Sequence, residues 1–180
     1  VEMTVCDRCR EKFGELSKSE WILTALERIR ERVREHGKTV ALWGDMLIHY
    51  PEVADALPTS HTVIFDWDYR PEVSKESSLF FKRRGFEVVG SPGLFCSPHM
   101  IHPDAHNYGS IKNFTEICRE NDLAAVNTTI WIPSRYLTDT LWTGIAYAAA
   151  HAWSGSKWDR DRFFASFTED YFGSGEGEQY

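Results

Sequence analysis

At 180 residues the chain has room for one domain with a sizeable core and little for a second. Hydrophobic residues make up 42% and aromatics 14%; seven Trp, seven Tyr and eleven Phe exceed what a minimal core requires, so some rings are expected to face a ligand. A formal charge of -7 and a pI near 5.5 oppose nonspecific attraction to nucleic acid or anionic membrane, and no apolar run reaches the length of a membrane span.

In chain order, the first predicted element is a helix in "SKSEWILTALERIRERVREHGK". Ser17 and Glu20 have capping-box spacing, Ile22, Ala25, Leu26, Ile29 and Val33 repeat at helical period, and Gly37 supplies the stop. Four short apolar runs follow: "TVALWGD" (39–45), "HTVIFDWDY" (61–69), "FEVVGSPG" (86–93) and "LAAVNTTIW" (123–131). They do not alternate cleanly, which is what strands covered on both faces of a parallel sheet require. Helices are predicted over 46–57, 74–84, 109–121, 134–153 and 157–173. A repeating strand-helix order implies a parallel sheet with right-handed crossovers, hence an α/β fold, with one domain over 1–173 and a flexible tail over 174–180.

In such folds chemistry sits at the carboxyl ends of the strands. Asp45 closes the first apolar run, Asp66, Trp67, Asp68 and Tyr69 close the second, Ser91 to His106 form a long loop after the third, and Asn127 and Trp131 close the fourth. Carboxylates beside Trp and Tyr suit carbohydrate: pyranose rings stack their apolar face on aromatics, hydroxyls bond to Asp, Asn and His, and two carboxyls can cleave a glycosidic bond. The plainer reading of "DWDY" is a strand end whose Asp caps the next helix and whose Trp is core. Asp66 and Asp68 are expected on opposite strand faces, which makes Asp45 with Asp68 the better acid and base or nucleophile pair.

The loop "CSPHMIHPDAH" carries Cys96, His99, His102, Asp104 and His106, possible ligands for a transition metal, although the spacing matches no strong zinc signature. "CDRC" at 6–9 is a lone C-x-x-C, and with Cys96 and Cys118 the four cysteines are too few and uneven for a disulfide scaffold. No secretory leader pattern opens the sequence, so the expectation is a soluble protein, cytoplasmic or secreted after leader removal.

"CDRCREKFG", "ALWGDMLIHYPE", "VIFDWDYRPE", "FKRRGFEVVGSPG" and "AAVNTTIWIPSRYLTDTLWTGIAYAAAHAW", in that order, resemble the carboxyl-terminal half of the catalytic barrel of family-20 glycoside hydrolases, the β-N-acetylhexosaminidase type. The resemblance implies half of a TIM-type (β/α)8 barrel, four parallel strand-helix units with an extra helix at each end. It also implies Trp43, Trp67 and Trp131 as walls of a sugar site, with Asp45, Asp68, Tyr69 and Asn127 as polar contacts. The family's adjacent Asp-Glu dyad is expected to be absent or cut off: only Glu2 and Asp7, not adjacent to each other, stand near its place.

Expected, then, is a glycoside hydrolase acting on a β-linked oligosaccharide or polysaccharide, either β-N-acetylhexosaminide-like or β-glucan. Its catalytic candidates are Asp45, Asp68 and Asp66, its substrate contacts Trp43, His49, Trp67, Tyr69, Asn127 and Trp131, and no cofactor or bound metal is expected. Alternatives are a noncatalytic sugar-binding half-barrel or inactive barrel remnant without the family dyad, and a metal-dependent hydrolase built on the 96–106 loop. A half-barrel leaves two sheet edges and an apolar interior exposed, so a homodimer is expected, with an open four-stranded sheet and rearranged helices as the alternative.

Overall fold

A computed structural model describes residues 7–95, 105–131, 138–155 and 158–173. Two helices, α1 (Asp7–Phe13) and α2 (Lys18–Glu35), precede strand β1 (Val40–Trp43). The short helices α3 (Asp45–His49) and α4 (Pro51–Ala56) lead to β2 (Thr62–Trp67), and α5 (Glu76–Arg83) leads to β3 (Glu87–Ser91) and β4 (Gly93–Phe95). Next come α6 (Ala105–Glu120), β5 (Ala125–Val126), β6 (Thr129–Ile130), α7 (Thr138–Ser154) and α8 (Arg160–Phe172).

The Ser17 hydroxyl accepts from the Glu20 backbone N–H while the Glu20 carboxylate accepts from the Ser17 N–H, so the expected capping box starts α2. The single helix expected over 46–57 is two, divided at Tyr50, because the residue before Pro51 is driven out of helical conformation. The third and fourth strands are each interrupted. Pro92 offers no N–H between β3 and β4, and Asn127 with Thr128 separates β5 from β6.

All observed pairings are parallel, in the order β1-β2-β3-β5, with β4-β6 prolonging the last two strands. The fold is therefore α/β with parallel strands. Trp43 stands level with Phe65, and Phe65 with Val89, which is level with Ala125.

The two sheet faces differ. On one, α2 packs on β1, α5 on β2 and β3, and α6 on β3, β4 and β5. Ile64, Val88, Phe81, Phe86, Leu47 and Val53 form a core there, and Leu94, Tyr108, Ile111, Tyr147 and Phe163 form a second under α6, α7 and α8. The other, more open face carries Ala41, Trp43, Val63, Phe65, Trp67, Glu87, Val89, Ser91 and Ala125; Ala41, Trp43, Trp67, Glu87 and Ala125 are exposed, while Val89 and Ser91 are buried. The expectation of strands covered on both faces is thus met on one face and only in part on the other among the described residues. No described helix is long and apolar enough to cross a membrane.

Candidate functional site

Side chains two residues apart in a strand share a face. "DWDY" is therefore two interleaved pairs: Trp67 and Tyr69 on the open face, Asp66 and Asp68 on the helix side. The expectation that the two aspartates face opposite ways is corrected by this geometry.

The rings form one connected group. Trp43 closes β1 and meets Phe65 edge-on at 5.7 Å and Trp131 at 5.9 Å. The Trp131 indole N–H donates to the Tyr69 hydroxyl at 2.6 Å, and Tyr69 stacks on Trp67 at 4.9 Å with planes 27° apart. Trp43, Trp67 and Trp131 remain 41%, 40% and 42% exposed, far above core aromatics such as Phe81 and Phe114 at 0%. Two glycines shape the platform. A Cβ on Gly93 would lie 2.6 Å from the Tyr69 ring, so the ring rests directly on the backbone there. At Gly44 a Cβ would lie 2.7 Å from the Phe81 ring, which fills the space behind the end of β1.

The acids are placed differently. Asp66 is buried, and its Oδ2 accepts from the Ser77 hydroxyl at 2.7 Å and the Ser78 hydroxyl at 2.5 Å, both in the first turn of α5. Burial raises its pKa, against the lowering effect of the two hydroxyls and with help from the Asp68 charge. Asp68 also feels burial, but hydrogen bonds and charge from Arg70 and a backbone bond from Ser74 outweigh it, so its carboxyl sits below the ordinary range. Its Oδ1 accepts from the Arg70 backbone N–H at 3.0 Å and Nε at 2.9 Å, its Oδ2 accepts from the guanidinium at 2.5 Å, and its carbonyl accepts from the Ser110 hydroxyl at 3.1 Å. The Asp66 carboxylate ties the end of β2 to α5, while the Asp68 carboxylate closes the turn onto Arg70 and Ser74 and its backbone carbonyl meets Ser110 on α6.

Asp45 is half-buried in the first turn of α3, and no hydrogen bond to its carboxylate occurs among the described residues. His49 is exposed at the last position of α3. Asn127 is exposed, with its backbone N–H donating to the Gly90 carbonyl at 2.8 Å. Cys96, His99, His102 and Asp104 lie outside the described residues, as does the 174–180 tail. No group of three or more His, Cys, Asp or Glu able to hold a metal occurs among the described residues.

One site residue was not expected from sequence: Phe65 belongs to the ring group, as its even spacing to Trp67 and Tyr69 would have shown. Ser91, where the loop expected after the third apolar run begins, is level with Trp67 and fully buried, with its hydroxyl unpartnered among the described residues. No protein-family model matches the chain, and a search of curated proteins returned no match.

Proposed function

We propose that this chain is half of a TIM-type (β/α)8 barrel of the family-20 glycoside hydrolase kind, and that its ring platform holds the apolar face of a β-linked sugar. The observation that carries the reading is the unbroken set of contacts from Trp43 through Trp131 and Tyr69 to Trp67, drawn from three strands onto one face. Half-exposed rings, with the Trp131 N–H bonded to the Tyr69 hydroxyl, offer flat apolar surface with hydrogen-bonding edges, which suits a pyranose better than a charged ligand. The strand order supports the barrel: neighbours in space are neighbours in sequence, without the reversal of doubly wound sheets.

Binding is better supported than cleavage. Asp66 and Asp68 are committed to Ser77, Ser78 and Arg70, so hydrolysis by this chain rests on Asp45 together with a second acid. A barrel of this type uses about 250 residues, and four further strand-helix units would complete the rim.

The test is titration with chito- and cello-oligosaccharides followed by Trp fluorescence, run beside hydrolysis of aryl β-N-acetylglucosaminides and β-glucosides. Saturable quenching that Trp131→Ala abolishes is the expected result, and an unchanged titration in that variant overturns the reading. Hydrolysis lost in Asp45→Asn extends the function to catalysis; hydrolysis that survives moves the acid elsewhere.

A further inference from the structure

The third strand thins out towards its carboxyl end, where Val89, Ser91 and Gly93 follow one another at spacings of two. The strands on either side do the opposite: β2 runs out through Phe65 and Trp67 to Tyr69, and β6 leads into Trp131. Trp67 is level with Ser91, and two further residues along each chain bring Tyr69 beside Gly93, which is itself level with Thr129 of β6. Gly93 therefore lies between the strand that carries Tyr69 and the strand that carries Trp131.

Strands two spacings apart stand about 10 Å from one another. The 2.6 Å bond from the Trp131 indole N–H to the Tyr69 hydroxyl thus needs side chains that lie over the strand between them. A Cβ built on Gly93 would lie 2.6, 2.9 and 3.2 Å from Cδ1, Cγ and Cε1 of Tyr69, so the ring crosses the third strand at this residue. Backbone conformation does not call for glycine there: the glycines with left-handed φ are Gly14, Gly37, Gly85, Gly155 and Gly173. What position 93 requires is the lack of a side chain. The strand itself is anchored, since the Pro92 carbonyl accepts from the Thr129 N–H at 2.8 Å and hydroxyl at 3.2 Å, and Leu94 is fully buried. Relief of a clash at 93 therefore falls on Tyr69. Its Cγ is fixed one bond from Cβ, so the ring escapes by turning about χ1, and the hydroxyl at the far end moves further than the carbon that is pushed.

We infer that Gly93 is the positioning residue of the ring platform: lacking a side chain, it seats Tyr69 across the third strand, so that the Trp67–Tyr69 pair and the Trp43–Trp131 pair form one continuous binding surface. The inference rests on the sugar-platform reading above and adds the residue on which that platform's continuity depends. A side chain at 93 breaks the link between Tyr69 and Trp131 and leaves two separate ring pairs.

The experiment is a cycle of Gly93→Ala, Tyr69→Ala and the double variant. Each is read by chito- and cello-oligosaccharide titration, by thermal melting and by the NMR resonance of the Trp131 indole N–H, assigned by its loss in Trp131→Ala. Gly93→Ala is expected to move that resonance upfield, towards its place in Tyr69→Phe, and to weaken oligosaccharide binding about tenfold. In the Tyr69→Ala background the same substitution should change neither any further. Gly90→Ala, which crowds Cys118 and Phe114 on the helix side of the same strand, should lower the melting temperature and leave resonance and affinity as they are. Should Gly93→Ala alone fail to fold, the double variant is expected to fold, because the two changes share one space. An unmoved resonance or an undiminished affinity in Gly93→Ala, equal losses in both backgrounds, or a double variant that stays unfolded would each overturn the inference. A wild type that binds no oligosaccharide sinks the sugar reading alone, since the resonance still reports whether Gly93 seats Tyr69.

Discussion

The rings of Trp43 and Trp131 meet at 5.9 Å although one closes the first strand and the other follows the last. Across a flat sheet, strands three spacings apart stand about 14 Å from one another. The two indoles therefore reach towards each other over the strands between them, and the Tyr69 ring, whose hydroxyl accepts from the Trp131 N–H, stacks on Trp67. These contacts turn separate rings into one platform.

Trp131→Ala removes the ring that joins the platform's two halves. Because Trp131 is 42% exposed, more than half of its surface is covered, and the unfolding free energy should fall by about 2–3 kcal/mol. Oligosaccharide affinity should fall at least about tenfold, equivalent to about 1.4 kcal/mol. Tyr69→Phe, which deletes only the acceptor of the Trp131 N–H, should lie between wild type and Trp131→Ala. Fluorescence titration beside urea melts separates affinity from stability.

Asp66→Ala should act oppositely, destabilising by about 1–3 kcal/mol because the Ser77 and Ser78 hydroxyls lose their acceptor in a buried place, while oligosaccharide binding persists. The carboxyl also leaves a pH signature. Its folded pKa is raised, so the unfolded chain releases its proton first; this group's contribution is fullest below the unfolded carboxylate value and declines as pH rises through the folded one. Asp66→Asn should abolish that component in chemical melts run from acid to neutral pH.

His151 has the reverse sign. It is fully buried on α7, its ring 4.3 Å from that of Tyr147, with both nitrogens unpartnered among the described residues. Burial first, then the Lys112 and Arg119 charges on α6, lowers its pKa. The unfolded chain therefore takes up the proton more readily, and stability falls as pH drops below the ordinary value near 6.5. His151→Phe should flatten the loss between pH 6.5 and 5, measured as the difference between variant and wild type.

Gly90→Ala should cost about 2–3 kcal/mol by overpacking. Its Cβ would stand 2.2 Å from the Cys118 sulfur and 2.9 Å from the Phe114 ring, where α6 lies against β3. Adding Cys118→Ala should recover part of that loss, because the two changes share one space. Thermal melts of the three variants give the coupling directly.

Much of the fold was legible in "SKSEWILTALERIRERVREHGK" and in the four apolar runs, because caps, helical period and strand composition act over a few neighbouring residues. The capping box at Ser17 and the strand positions follow from such local physics. Local signals also held the interruptions, since Pro51 and Pro92 remove the backbone conformations or donors that continuous elements need, although continuous elements were expected there. Helix α1, inside "CDRCREKF", carried no apolar periodicity to reveal it and has no buried residue.

The roles within "DWDY" were decided by tertiary structure. Strand alternation alone separates the two acids from the two rings, but which face meets helices depends on where α5 and α6 return. That packing converts Asp66 from a candidate acid of an open rim into a carboxylate held by Ser77 and Ser78, whereas Asp68 is held by Arg70 two residues further along the same turn. Sequence determined that aromatic and acidic groups would collect at the strand ends, because strand boundaries are set locally. The third dimension decided which groups face solvent, because sheet curvature and helix placement depend on contacts between residues as distant as Trp43 and Trp131.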